Sequence, residues 1–108
     1  FDPDDFDTSY DIVIDAVFGF SFKGAPRAPF VNILRRMAST SLPVVSVDVP
    51  SGWHVEEGPT EHANWQPHTL VSLTAPKLCT RFFKGQRHFL GGRFVPPAIA
   101  EQYSLTIP

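Results

Sequence analysis

Apolar positions gather in three runs along the chain, and each run ends where polar and turn-forming residues begin. The first, YDIVIDAVFG from Tyr10 to Gly19, carries Ile12, Val13, Ile14, Ala16 and Val17. It is too continuously apolar for a half-exposed edge and predicts a covered β-strand. The second, LPVVSVDVP, predicts a covered strand on Val44, Val45 and Val47 that closes at Asp48. The third, HTLVSLTAPK from His68 to Lys77, places Leu70, Val71 and Leu73 in a buried run before Pro76 stops it. Between the first two runs the period changes. From Ala28 to Ser39, Phe30, Ile33, Leu34 and Met37 recur at three- and four-residue spacing while Asn32, Arg35 and Arg36 face away, which predicts a helix with one core face. Further on, HFLGGRFVPP predicts two short β segments hinged at Gly91 and Gly92, and Pro97 to Tyr103 a short last helix with proline in its first turn.

Strand, helix and strand in this order predict a right-handed βαβ unit with its two strands parallel. Both strands close on an acid followed by a loop: Asp15 before AVFGFSFKG, and Asp48 before VPSGW. In open α/β sheets ligands bind beyond the carboxyl ends of parallel strands, so the two acids are expected to converge there. Burial opposes the charge of Asp48 and a nearby donor or cation favours it, a combination that marks a candidate acid or base. Pro50 and Gly52 predict a tight turn after it, with Trp53 packing the turn down.

A chain of 108 residues with 43% hydrophobic content is globular and fits one small domain. Its net charge of −2 and scattered Lys and Arg leave no footprint for nucleic acid. A single cysteine, Cys79, excludes an internal disulfide framework and a cysteine-built zinc site. No stretch approaches the ~20 apolar residues of a membrane span, and no targeting segment is legible. The acidic, turn-rich FDPDDFDTS that opens the chain, with no initiator Met, reads as a connection inside a larger domain.

DAVFGFSFKG, VDVPSGW, LTAPK and HFLGGRFVPP occur in this order, and with them the chain resembles the NAD(P)H-hydrate epimerases, the YjeF N-terminal domain family that in animals includes the apolipoprotein A-I-binding protein. The resemblance runs from about Tyr10 to Pro108 and implies the carboxyl-terminal half of such a domain, because the Asn- and Gly-rich phosphate and potassium loop of the family is not among these residues. It implies a Rossmann-like three-layer αβα sandwich with a mostly parallel sheet, seen in part. The implied reaction interconverts the R and S epimers of hydrated NADH or NADPH. Gly19, Phe20, Ser21, Phe22, Lys23, Gly24 and Ala25 would line the phosphates of the cofactor, the two phenylalanines matching the animal-type form of the loop. Asp48 would contact the ribose region next to the hydrated nicotinamide and transfer the proton. Asp15 and Ser51 would be potassium ligands, in keeping with the preference of hard cations for oxygen. The resemblance further implies a homodimer, a possible protein partner, and a cytoplasmic or mitochondrial address. Relatives of the same fold also act as scaffolds that bind a nucleotide or a protein without chemistry.

Taken alone, the same residues have plainer readings. A glycine-containing loop need not hold phosphate, Asp15 can cap its loop, and a serine after proline commonly bonds its own backbone. Lys77 can meet a phosphate, meet Asp48, or stand solvated at a strand end. His54 occupies a position where many members of the family carry Asp, and it reads as a solvated loop residue. His62, His68 and His88 lack metal-ligand spacing. Cys79 has no nearby His or basic cluster in sequence to make it a thiolate nucleophile. The stripe of Phe82, Phe83, Phe89 and Phe94 predicts core or a dimer interface.

Overall fold

A computed structural model of the chain describes residues 6–19, 25–92 and 94–106. Strands β1 (Val13–Asp15), β2 (Val44–Val47), β3 (Thr69–Leu73) and β4 (Arg87–Gly91) lie side by side in chain order as one parallel sheet. Val13 pairs with Val44, Val45 with Thr69, and Leu70 with His88, so the carboxyl ends of all four strands share one edge. Helix α1 (Phe6–Ser9) precedes the sheet, α2 (Phe30–Ser39) joins β1 to β2, a 3-10 helix (Leu78–Phe82) lies between β3 and β4, and α3 (Pro97–Gln102) follows. This is an α/β, Rossmann-like arrangement, with β1 and β2 the parallel neighbours that the strand, helix and strand pattern predicts.

Helix α2 begins at Phe30 rather than Ala28 because Pro29 disfavours the helical region for the residue before it. Its Leu34 and Met37 are buried in one cluster with Val44, Val49, Trp53 and Trp65. Burying each such apolar side chain contributes about 1.5–3 kcal/mol, which is what holds this short helix to the sheet. The link from β2 to β3 has no helix and is itself a layer of the core. Trp53 Nε1 donates to the Trp65 carbonyl at 3.1 Å and Trp65 Nε1 to the Ser51 carbonyl at 3.3 Å, so both indoles are buried with their N–H groups satisfied.

Several expectations need correction. β1 is three residues long and pairs only with β2 among the described residues, with Ile12 and Ile14 exposed to 51% and 66%. β2 is not covered on both faces either: Val44 and Ser46 are buried, while Val45 and Val47 are half-buried. The buried cluster lies on the face that α2 covers, and the apolar residues of the opposite face are left partly open. Phe82, Phe89 and Phe94 are likewise exposed and Phe83 half-buried, so this stripe is not core. HFLGGRFVPP supplies one strand, not two, since the described residues after Gly91 continue without strand pairing until α3. FDTS is a single helical turn, tied to the end of α2 by the Thr40 hydroxyl donating to Asp7.

Candidate functional site at the carboxyl edge of the sheet

Asp15 closes β1 and is fully buried. Its Oδ2 accepts from the Ser46 hydroxyl and from the Ser51 backbone N–H, each at 2.8 Å. Its Oδ1 accepts from the Ser51 hydroxyl and, at 3.4 Å, from the Val17 N–H. Ser51 Oγ in turn accepts from the Phe18 N–H at 2.9 Å. The carboxylate therefore ties the end of β1 to β2 and to the turn beyond it. Buried charge is tolerated only when so paired, and four protein donors provide the pairing.

The turn beyond β2 has the form its sequence predicts. The Trp53 N–H donates to the Pro50 carbonyl at 3.0 Å, and Gly52 takes the left-handed conformation at φ +87°. A β-turn with φ > 0 at its third residue calls for glycine there. A second reason is space: a Cβ on Gly52 would lie 2.4 Å from that of Ala63.

Asp48 takes different partners. Its own N–H donates to the Val71 carbonyl at 2.7 Å, extending the β2–β3 ladder by one bond, and its backbone then turns left-handed at φ +71°. The Val49 N–H reaches back to the Val47 carbonyl at 2.9 Å. A bond from residue i+2 to residue i around a positive φ is a γ-turn of the rare, strained kind. Holding a residue that carries a Cβ there costs roughly 1–3 kcal/mol, and aspartate is among the side chains that tolerate it best. Asp48 Oδ1 lies 2.7 Å from Lys77 Nζ, yet it is buried without an aligned hydrogen bond, so the contact is an ion pair by distance and charge rather than by direction. Of the three readings of Lys77, the structure selects the one in which it meets Asp48.

The described residues thus bring Asp15 and Ser51 together and set Asp48 apart with Lys77 on the β3 side. Gly19 and Ala25 lie exposed beyond β1, and a Cβ on Gly19 would meet no described atom within 4 Å. Phe20, Ser21, Phe22, Lys23 and Gly24 lie outside the described residues. His54 is exposed and its Nδ1 accepts from the N–H groups of Glu56 and Glu57, which makes it a turn cap. His88 Nε2 is 2.7 Å from the Ser72 hydroxyl. Among the described residues no cluster of His, Cys, Asp or Glu could hold a metal ion. A hard monovalent cation asks for oxygen instead. The Asp15 carboxylate and the adjacent Ser51 hydroxyl suit it in kind, though a cation would share those oxygens with Ser46 and the turn. Burial pushes the Cys79 thiol above its ordinary 9.0, and the negative charge of Asp48 pushes the same way, so Cys79 is a protonated core residue.

Two residues of this edge escape a reading of the sequence. Ser46 stands in a run of valines, and its polarity inside VVSVDV is the signal that something buried accepts from it. Thr74 adopts φ +65°, a conformation a β-branched residue rarely takes, and nothing in LTAPK announces it.

Known proteins place this architecture. Residues 2–79 match the family described as YjeF-related protein N-terminus. That stretch contains the first three of the four motifs and ends before HFLGGRFVPP. The chain is 54% identical over 115 aligned positions to pyridoxine/pyridoxamine 5'-phosphate oxidase 1, chloroplastic, of Arabidopsis thaliana. This covers 98% of the chain and 22% of that relative. The crystal structure of the yeast protein ynu0, YNL200c, superposes with a TM-score of 0.77 at 42% identity, over 86% of this chain and 40% of the yeast chain. The chain therefore spans less than half the length of either protein. A family match over most of its residues, carried by an acid-closed parallel sheet of the same fold, makes this chain a member of the YjeF-related N-terminal family.

Proposed function

We propose that this chain is the carboxyl-terminal half of an NAD(P)H-hydrate epimerase domain, which interconverts the R and S forms of hydrated NADH and NADPH at the carboxyl edge of its sheet. The observation that carries the reading is Asp48, a carboxylate held in a left-handed turn at the end of a parallel strand, with a lysine ammonium 2.7 Å away. A backbone strained at one acid on the ligand-binding edge is characteristic of a group positioned for a task. Asp48 moves the proton that inversion at the hydrated ring carbon requires. The stretch from Gly19 to Ala25 follows β1 in the sequence, and its backbone amides and Lys23 would face the cofactor phosphates. Asp15 and Ser51 would hold potassium, which would supply fixed positive charge beside those phosphates. The remaining part of the domain would seat against the sheet face opposite α2, where Ile14 of β1 is exposed. The match covers 22% of the Arabidopsis relative, and the oxidase activity in that protein's name is not carried over to this chain.

The test is the interconversion of hydrated NADH epimers, followed by chromatography, with Asp48→Asn in the full-length protein. Asparagine tolerates the left-handed region as aspartate does, so the turn survives while the base is removed. Turnover is expected to fall by ~10²-fold or more with substrate affinity nearly unchanged. Rates near those of the unmodified protein would show that Asp48 only orders the turn, and a binding scaffold of the same fold would become the better reading.

A further inference from the structure

Strand β3 ends as β2 does. The Ala75 N–H donates to the Leu73 carbonyl at 2.7 Å around Thr74, whose φ is +65°. Two adjacent parallel strands thus close in γ-turns of the same strained kind, side by side on the edge where ligands of this fold bind. One side chain touches both. Lys77 folds back so that its Nζ donates to the Leu73 carbonyl at 2.9 Å and the Ala75 carbonyl at 3.1 Å, the two carbonyls that flank Thr74, and stands 2.7 Å from Asp48 Oδ1. Thr74 is anchored on its other side, its N–H and hydroxyl donating to the Gly91 and Gly92 carbonyls at the end of β4. The Asp48 carboxylate is thereby linked through one ammonium to the turn of β3 and on to β4.

The geometry points to Lys77 as the positioning residue of Asp48, a role that rests on the epimerase reading given above. A strained turn relaxes unless its surroundings over-determine it. At Asp48 the constraints are the backbone bond to Val71 on one side and the Lys77 charge on the other. Two directed hydrogen bonds of Lys77 go to the Leu73 and Ala75 carbonyls, while its charge is aimed at Asp48, whose Oδ1 has no aligned donor among the described residues. An ammonium arranged in this way orients the carboxylate without binding its lone pairs in a fixed direction. Oδ1 is itself buried, so the ammonium fixes that oxygen and with it the direction in which the rest of the carboxylate faces. Lys77 has its own backbone carbonyl tied into the 3-10 helix through the Thr80 N–H at 3.0 Å, so its root is as fixed as its tip.

The experiment uses the full-length protein with Lys77→Met, which keeps the length of the side chain and removes its charge. Epimerisation of hydrated NADH should lose on the order of tenfold or more in kcat with KM within about threefold, because a displaced acid loses reactive geometry rather than substrate contact. A crystal structure of the same variant should find Asp48 outside the left-handed region. A raised KM at unchanged kcat would make Lys77 a substrate contact and overturn the proposal, as would unchanged kinetics. If the unmodified protein has no epimerase activity, the epimerase reading fails, and the backbone of Asp48 in the Lys77→Met crystal then decides alone. A retained positive φ there overturns the positioning role. Should Lys77→Met not fold, Lys77→Arg keeps the charge but replaces a compact ammonium with a planar fork that cannot reproduce the three contacts. Lowered kcat at unchanged KM supports the proposal, and full kcat overturns it.

Discussion

Removing the Asp15 side chain as Asp15→Ala tests whether that acid is a strut of the fold. Truncation takes the acceptor from the Ser46 hydroxyl and the Ser51 backbone N–H, both 2.8 Å away and both belonging to fully or nearly fully buried residues. A buried donor left without a partner costs about 1–3 kcal/mol, so two cost about 2–6 kcal/mol together. Relief from burying a carboxylate acts in the opposite direction, and water entering the space left by the carboxylate would soften the loss further. The net expectation is destabilisation of about 3 kcal/mol. In urea, with a slope of roughly 1–3 kcal/mol/M, this lowers the midpoint by about 1–3 M at unchanged slope. Ser46→Ala removes one donor and leaves Asp15 three, so it should cost only about 0.5–1.5 kcal/mol. In the double variant the Ser46 hydroxyl is no longer orphaned, and the combined loss should fall short of the sum. The measurements belong in potassium-free buffer, where a loss that comes from serine and backbone donors persists. An Asp15→Ala midpoint equal to that of the unmodified protein, or a double variant that is strictly additive, would refute the strut.

Gly52→Ala should destabilise the protein by about 2–5 kcal/mol, since it combines a left-handed backbone with a Cβ placed 2.4 Å from Ala63; chemical denaturation checks it, and a loss under 1 kcal/mol would contradict the packing described. The Cys79 thiol should resist aromatic disulfide reagents at pH 8 until the protein unfolds, because it is fully buried and its deprotonation is opposed. With the thiol raised in the folded state, the unfolded chain loses this proton first as pH climbs past about 9, so stability should decline above that pH and Cys79→Ser should flatten the decline. Thiol labelling with pH-dependent unfolding measures both, and rapid labelling of the folded protein would contradict the assignment.

Much of the fold follows from patterns that are local in sequence. The valines around Ser46 and the three- and four-residue spacing of Leu34 and Met37 each predict one element, and a strand, a helix and a strand in succession leave few arrangements other than two parallel neighbours. The order of the acids is equally local: Asp15 and Asp48 each close a strand, and parallel pairing then puts them on one edge. Pro50 and Gly52 announce their turn because only certain residues suit its dihedral angles. The partners of those acids could not be read in this way. Asp15 finds Ser46 and Ser51 across 31 and 36 residues of chain, and Asp48 finds Lys77 through a turn at Thr74 that no propensity favours. Nor could the exposure of Ile14 be read, because an apolar strand looks the same whether or not a neighbour covers it. Periodicity reports what each element needs from its surroundings, whereas the identity of the atom that meets each need depends on how distant segments pack, and only the tertiary structure decides that.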